Sequence, residues 1–217
     1  WPGIRRERIR RLLPQAMQLA GIDAWVVACR ENNNDPLALH VGGENAGAPA
    51  VFLFFLKGAQ VESVALSPWG EAAALQELGL HDRVLEFERN ANVWLLAAEQ
   101  LQAADPKRIG VNCSSRNIAD GLSWTQRTEL ERAIGPSLAA RLTSAEELVI
   151  EWLSVKLPEE AEIMRRAGEL TVELQIEAYR TVVPGQTRDC DVAQYIRGRM
   201  GELGLLGITI PEQYGGA

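Results

Sequence analysis

Residues 21–55 read GIDAWVVACRENNNDPLALHVGGENAGAPAVFLFF, and how this stretch divides decides the fold. IDAWVVAC, residues 22–29, is a short apolar run rich in valine and tryptophan, which reads as a buried strand. A polar loop occupies 30–49, and AVFLFFL, residues 50–56, is a second apolar strand. At seven residues this longest apolar run is far too short to cross a bilayer.

Upstream, IRRERIRRLLPQAMQLAG (4–21) places Ile4, Ile9, Leu12, Leu13, Ala16 and Leu19 at helical spacing and closes on Gly21, with Pro14 expected to kink or split the helix. Its five arginines, Arg5, Arg6, Arg8, Arg10 and Arg11, around the single Glu7 read as the solvated face of an amphipathic helix. Downstream, strands and helices alternate. VESVALS (61–67), RVLEFE (83–88) and RIGVNC (108–113) are extended; GEAAALQEL (70–78), NVWLLAAEQLQAA (92–104) and LSWTQRTELERAI (122–134) are helical, the last ending at Gly135. This alternation predicts an α/β domain, a mostly parallel or mixed sheet flanked by helices, over residues 1–145.

After Ala145 the strands disappear. PEEAEIMRRAGELTVELQIEAYRTV (158–182) opens with Pro158 at the first helical position and Glu159 and Glu160 against the positive end of the helix dipole. Ile163, Ala167, Leu170, Leu174 and Ala178 form its apolar stripe, and Pro184–Gly185 ends it. A second helix starts near Thr187 or Asp189, carries Val192, Ile196, Met200 and Leu203 on one face, and stops at Gly204. Residues 146–204 are thus a linker and two helices, and 205–217 form a tail of different character.

The composition, 47% apolar over 217 residues, suffices for a real core. A net charge of -7 argues against non-specific binding to nucleic acid or an anionic membrane. Cys29, Cys113 and Cys190 lie far apart without CxxC or CxxH spacing, as expected of cytosolic thiols rather than a disulfide framework or zinc site. His40 and His81 are isolated, and each is expected to be a structural or surface residue. GGENAG (42–47) lacks a Gly-Lys-Ser/Thr ending and precedes a strand, so it reads as a flexible turn rather than a phosphate loop. The densest polar cluster is RENNND (30–35), at the end of the first strand, where α/β sheets tend to bind ligands. Its plainer reading is a solvated loop whose asparagines cap their own turns. Its functional reading is that Arg30 and Asp35 reach a substrate or a neighbouring subunit.

The 21–55 segment, with its Arg-x-Asn-Asn-x-Asp-Pro-Leu loop (30–37), resembles the first strand-loop-strand unit of the creatinase/aminopeptidase P family. The resemblance continues through RIGVN (108–112), LTSAEELVIEWLSVKLPEEAEIMRRAGELT (142–171) and VVPGQTRDCDVAQYIRGRM (182–200). It implies a non-catalytic N-terminal domain followed by the opening helices of an incomplete pita-bread domain, from a parent that hydrolyses Xaa-Pro peptide bonds or small amidino compounds. It further implies a homodimer and, in the parent, two metal ions, manganese or cobalt, held by two Asp, one His and two Glu. Those ligands follow the second helix in the family, so no metal ligand and no catalytic residue is carried onto this chain. The matching loop, with Arg30, Asn32, Asn33 and Asp35, is implied to lie near a subunit interface, with a substrate-facing role as the further expectation. Without a following sheet, four stripe positions of the 158–182 helix represent about 6–12 kcal/mol of unrealised burial. The two helices are then expected to fold back or to expose an apolar patch.

The end of the chain differs. ELGLLGITIPEQYGGA (202–217) resembles a motif near the N-terminus of acyl-CoA dehydrogenases, which raises the expectation of a chimera joined near 201–205. Under that alternative the α/β domain is an interaction module attached to a flavoenzyme.

Overall fold

The computed structural model of the chain describes residues 2–205; residues 206–217, and with them most of the tail motif, lie outside the described residues. In chain order the elements are α1 (Pro2–Glu7), a π turn (Arg8–Leu12), α2 (Leu13–Ala20), β1 (Ala24–Cys29), α3 (Ala38–Val41), β2 (Ala50–Lys57), β3 (Gln60–Pro68), α4 (Ala72–Leu78), β4 (Arg83–Phe87) and α5 (Val93–Ala104). Then come β5 (Ile109–Val111), α6 (Trp124–Ala139), β6 (Leu142–Ser144), α7 (Glu146–Ser154), α8 (Pro158–Arg180) and α9 (Asp189–Glu202).

The described residues form one mixed six-stranded sheet in the order β4-β3-β2-β1-β5-β6. β1, β2 and β3 are antiparallel, whereas β3–β4, β1–β5 and β5–β6 run parallel. Side chains alternate across a strand, and here both faces are covered. Trp25, Val27, Cys29, Phe52, Phe54 and Ala65 enter one core with Leu13, Met17 and Trp152. Val26, Ala28, Leu53, Phe55 and Leu66 enter the other with Trp94, Leu101 and Leu130. That is why β1 and most of β2 read as continuous apolar runs.

The first helix divides as Pro14 requires. Proline has no N–H and its ring crowds the preceding turn, and the register loosens to a π turn just ahead of it. Gly21 then closes α2 at φ 62°.

The arginine cluster departs from the solvated face expected of it. Arg10 and Arg11 are exposed, but Arg5 is 4% and Arg8 2% exposed. The Arg8 guanidinium lies 5.5 Å from the centre of the Trp152 ring and donates to the carbonyls of Trp152 and Val155. These are carbonyls of the last turn and cap of α7, which have no partner within the helix. In return Trp152 Nε1 donates to the Arg8 carbonyl at 3.1 Å. Arg5 pairs with Glu44 at 2.6 Å and donates to the Leu39 carbonyl. A helix end and a carboxylate, neither displayed by periodicity, draw these cations inward.

Two further differences are local. The segment 146–157, expected as a linker, contains α7, whose Leu148, Val149 and Trp152 belong to the core with α2, so the first compact unit runs to Leu157. Helix α6 continues past Gly135, which turns the chain at φ 79° and lets Pro136 begin a further turn.

The second unit, 158–217, carries α8 and α9. Its helix boundaries follow the sequence reading, and Arg199 of α9 bridges Glu177 of α8 at 3.1 Å. The expected stripe is realised only at its end. Leu174 and Ala178 are buried, but Ile163 is 58% exposed, and Met164, Val172, Ile176 and Tyr179 are exposed as well.

Candidate functional site

β1 and β5 are parallel neighbours, paired Ala24↔Ile109 through Val26↔Val111, so the loops that leave them emerge at the same edge of the sheet. The first is the 30–35 loop; the second runs from Asn112 to Ser123. Between them lies a polar cleft of about 360 Å³, lined by Asn33, Asn34, Pro36, Asp120, Gly121 and Ser123 among others. The carboxyl edge of a sheet is where ligands of α/β domains tend to bind.

The floor of this region is a buried hydrogen-bond chain. Trp25 Nε1, which can only donate, gives its proton to Asn112 Oδ1 at 2.8 Å, and this fixes the amide so that Asn112 Nδ2 donates to Asp35 Oδ2 at 2.9 Å. Asp35 Oδ1 accepts from the Leu37 amide at 2.9 Å. Burial pushes the Asp35 carboxyl above the ordinary range, and the two donors act in the opposite direction. Asp35 is 3% exposed and faces inward. It organises the loop rather than presenting a charge to solvent.

The other three residues singled out in this loop point elsewhere. Arg30 is half-buried and its Nε donates to the Asn33 carbonyl at 3.5 Å; Asn32 and Asn33 are exposed. Asn32 sits at φ 63°, a region asparagine tolerates better than other non-glycine residues. Asn34 ties the loop to the next turn through Nδ2 to the Gly43 carbonyl at 2.8 Å. The loop therefore presents Arg30, Asn32 and Asn33 outward and holds Asp35 inside.

Sequence reading did not single out the opposite wall. Gly121 abuts Asp35 so closely that a Cβ there would stand 1.9 Å from Oδ2, which only glycine avoids. Asp120 Oδ1 accepts from the Ser114 amide, and Ser123 caps α6 in a reciprocal capping box with Gln126. Ser114 Oγ and Arg116 also bond Glu146 in the first turn of α7 and hold that carboxyl below its usual range. The signal was the parallel relation of the IGV strand to β1, which brings the Asn112 loop beside RENNND; pattern reading alone supplies no strand order.

The remaining candidates are structural. The His40 ring packs edge-on to Trp152, and His81 stacks on Phe52 and Phe54. The Cys29 thiol is buried and, with the Asp35 carboxylate near it, is pushed up and inert. The GGENAG turn, expected to be flexible, is pinned by Gly43 N to the Ala38 carbonyl, by Asn34, and by the Arg5–Glu44 pair. Among the described residues no group of three His, Cys, Asp or Glu side chains converges as a metal site would need, so the donor set does not fit a two-metal centre. Among the described residues no helix is long and apolar enough to cross a membrane.

No family model matches the sequence, and no curated protein sequence matches it either. Solved structures do. The fold superposes on a Xaa-Pro dipeptidase from Bacillus anthracis with a TM-score of 0.55 at 16% identity, over 94% of this chain and 50% of that one. The chain has the fold found in such peptidases. An X-Pro aminopeptidase from Thermotoga maritima MSB8 gives 0.54 at 17% identity over 88% of this chain and 49% of its own. The dipeptidase PepE from Mycobacterium ulcerans gives 0.56 at 18% over 91% and 50%. The chain spans about half the length of these proteins, and the resemblance drawn from its motifs holds at the level of the fold.

Proposed function

We propose that this chain is the N-terminal portion of a metal-dependent Xaa-Pro peptidase, or of a creatinase-type hydrolase of small amidino compounds. In this reading the α/β domain serves dimerisation and shaping of the substrate site, while bond cleavage and the two manganese or cobalt ions belong to the remainder of the parent. The observation that carries it is the agreement of nearly the whole chain with about half of three Xaa-Pro peptidase and dipeptidase structures, in line with the motifs at 21–55, 142–171 and 182–200. The outward residues Arg30, Asn32 and Asn33 are the groups available to a substrate or a second subunit, and Asp35 sets their loop. A cytoplasmic setting belongs to the same proposal.

Two preparations test this: the 217-residue chain and the full product of its locus, assayed on Gly-Pro and on creatine with manganese or cobalt. Hydrolysis only by the full product, together with a dimer mass in light scattering, supports the reading. Hydrolysis by the 217-residue chain alone overturns it. The second reading, an interaction module on a flavoenzyme, rests on the 202–217 motif, and a locus that continues into acyl-CoA dehydrogenase sequence would favour it.

A further inference from the structure

A second cleft, with no residue of the 30–35 loop in its lining, lies on the face of the sheet that carries α4. It encloses about 200 Å³ between the turn after α3, the strands β2 and β3, and helix α4. At about 30 Å³ per water molecule this is room for a small organic molecule rather than a cofactor.

Its walls are mainly apolar, with the exposed Asn45 side chain among the lining residues. Phe52 of β2 and Leu75 and Leu78 of α4 form the sides, with Ala46 and Ala74 near the opening. Ser67, on the same face of β3 as Ala65, adds one hydroxyl. Gly42 makes the close approach possible: it turns at φ 85°, and a Cβ there would come within 3.2 Å of Leu75 and Leu80.

The rim carries one carboxylate, Glu71. It accepts the Gly47 amide at a long 3.2 Å and faces Arg89 at 3.6 Å, whose side chain is 71% exposed. An ion pair with so solvated a partner contributes little and yields to a better-placed cation. An apolar chamber with a single, weakly engaged carboxylate at its mouth has the complement of a compact hydrophobic amine.

We infer that this cleft is a binding site for a small primary amine on an apolar body, the ammonium on Glu71 and the hydrocarbon against Phe52, Leu75 and Leu78. The inference is independent of the peptidase reading, since none of the residues that contact the amine belongs to the 30–35 loop and no metal is needed.

Benzylamine, benzyl alcohol and benzoate serve as matched probes, followed by amide NMR shifts of the 217-residue protein. Benzylamine should produce saturable shifts at Gly42, Gly43, Gly47 and Gly70 and bind more tightly than the alcohol, with benzoate weakest. Glu71→Gln should weaken benzylamine about three- to fivefold and leave the alcohol unchanged. Ala74→Leu, a substitution at an exposed helix position that the fold should tolerate, fills the opening and should abolish both. Absence of saturable shifts, shifts confined to other residues, equal binding of benzoate, or binding undiminished in Ala74→Leu would each overturn the inference. So would shifts of the same amides with protein concentration alone, which would assign the cleft to a second copy of the chain.

Discussion

Asn112 Nδ2 donates to Asp35 Oδ2 across 2.9 Å, joining the loop that leaves β1 to the loop that leaves β5. The bond has a fixed polarity, because Trp25 has already claimed the Asn112 carbonyl oxygen. Asp35→Asn would set one amide nitrogen against another or against the Leu37 N–H. The expected loss is about 1–3 kcal/mol, seen as a lower urea midpoint at unchanged slope. A pH dependence accompanies it. The native carboxyl is raised by burial, so its favourable contribution is complete below the unfolded value and is lost as pH rises through the native one. Asp35→Asn should lack that decline, and parallel urea series on the two proteins would show whether it does.

Gly121 tests the same network sterically. Gly121→Ala should cost about 3 kcal/mol, because its methyl and the Asp35 carboxylate claim one space. Combined with Asp35→Ala the cost should be strongly non-additive, and a double-mutant cycle that sums instead would dissociate the two residues.

Arg8 is a second buried polar centre. Arg8→Met leaves the carbonyls of Trp152 and Val155 without their donor and should lower stability by about 3 kcal/mol. Arg8→Lys should recover only part of this, since an ammonium can neither span both carbonyls in a planar fork nor stack on Trp152. Guanidinium unfolding of the two variants distinguishes these cases.

His81 gives a pH signature of opposite direction to that of Asp35. Its Nε2 donates to the Val41 carbonyl, its buried Nδ1 has no hydrogen-bond partner, and burial lowers its pKa to about 4. Between about pH 6.5 and 4 the unfolded chain takes up a proton that the native state refuses. Stability should therefore fall across that window by up to about 1.4 kcal/mol per pH unit and level off below it. A His81→Phe variant should lose the dependence, and an imidazole NMR titration midpoint near 6.5 would contradict it.

Helix α8 should bind an apolar dye. Ile163, Met164, Val172, Ile176 and Tyr179 are exposed on one helix, more than scattered surface residues require. Replacing Ile163 and Ile176 by glutamate should remove most of the dye fluorescence without moving the unfolding midpoint of the α/β unit; undiminished fluorescence would place the dye elsewhere.

Much of the fold was legible because burial on both faces leaves an unmistakable trace: AWVVAC and AVFLFF carry no polar alternation, and the helices between the later strands keep their period. Capping was legible too, in Gly21 and in the Pro158 helix start. What stayed hidden depends on distance in sequence. Nothing in RRERIRR says that one arginine meets a helix end 144 residues later or that another meets Glu44. Helix α7 was hidden because it is short, nine residues, and Val155 to Leu157 run it almost directly into the start of α8 at Pro158, so it reads as a lead-in to that helix. At the candidate site the RENNND loop was visible as polarity, but the inward turn of Asp35 was not, because its cause, Asn112, lies in the loop that follows another strand.

The Arg8–Trp152 contact also orders events in time. The residue that completes the core over Trp25 is among the last of its unit to be made, so during synthesis the cover that α2 gives this face of β1 and β2 stays incomplete until α7 follows. The contact closes only when α7 is available, which holds back completion of this unit until its last helix has been made. A nascent chain halted before residue 146 would leave the part of this face that Trp152 covers, around Trp25, open to chaperones or to its neighbours on the polysome.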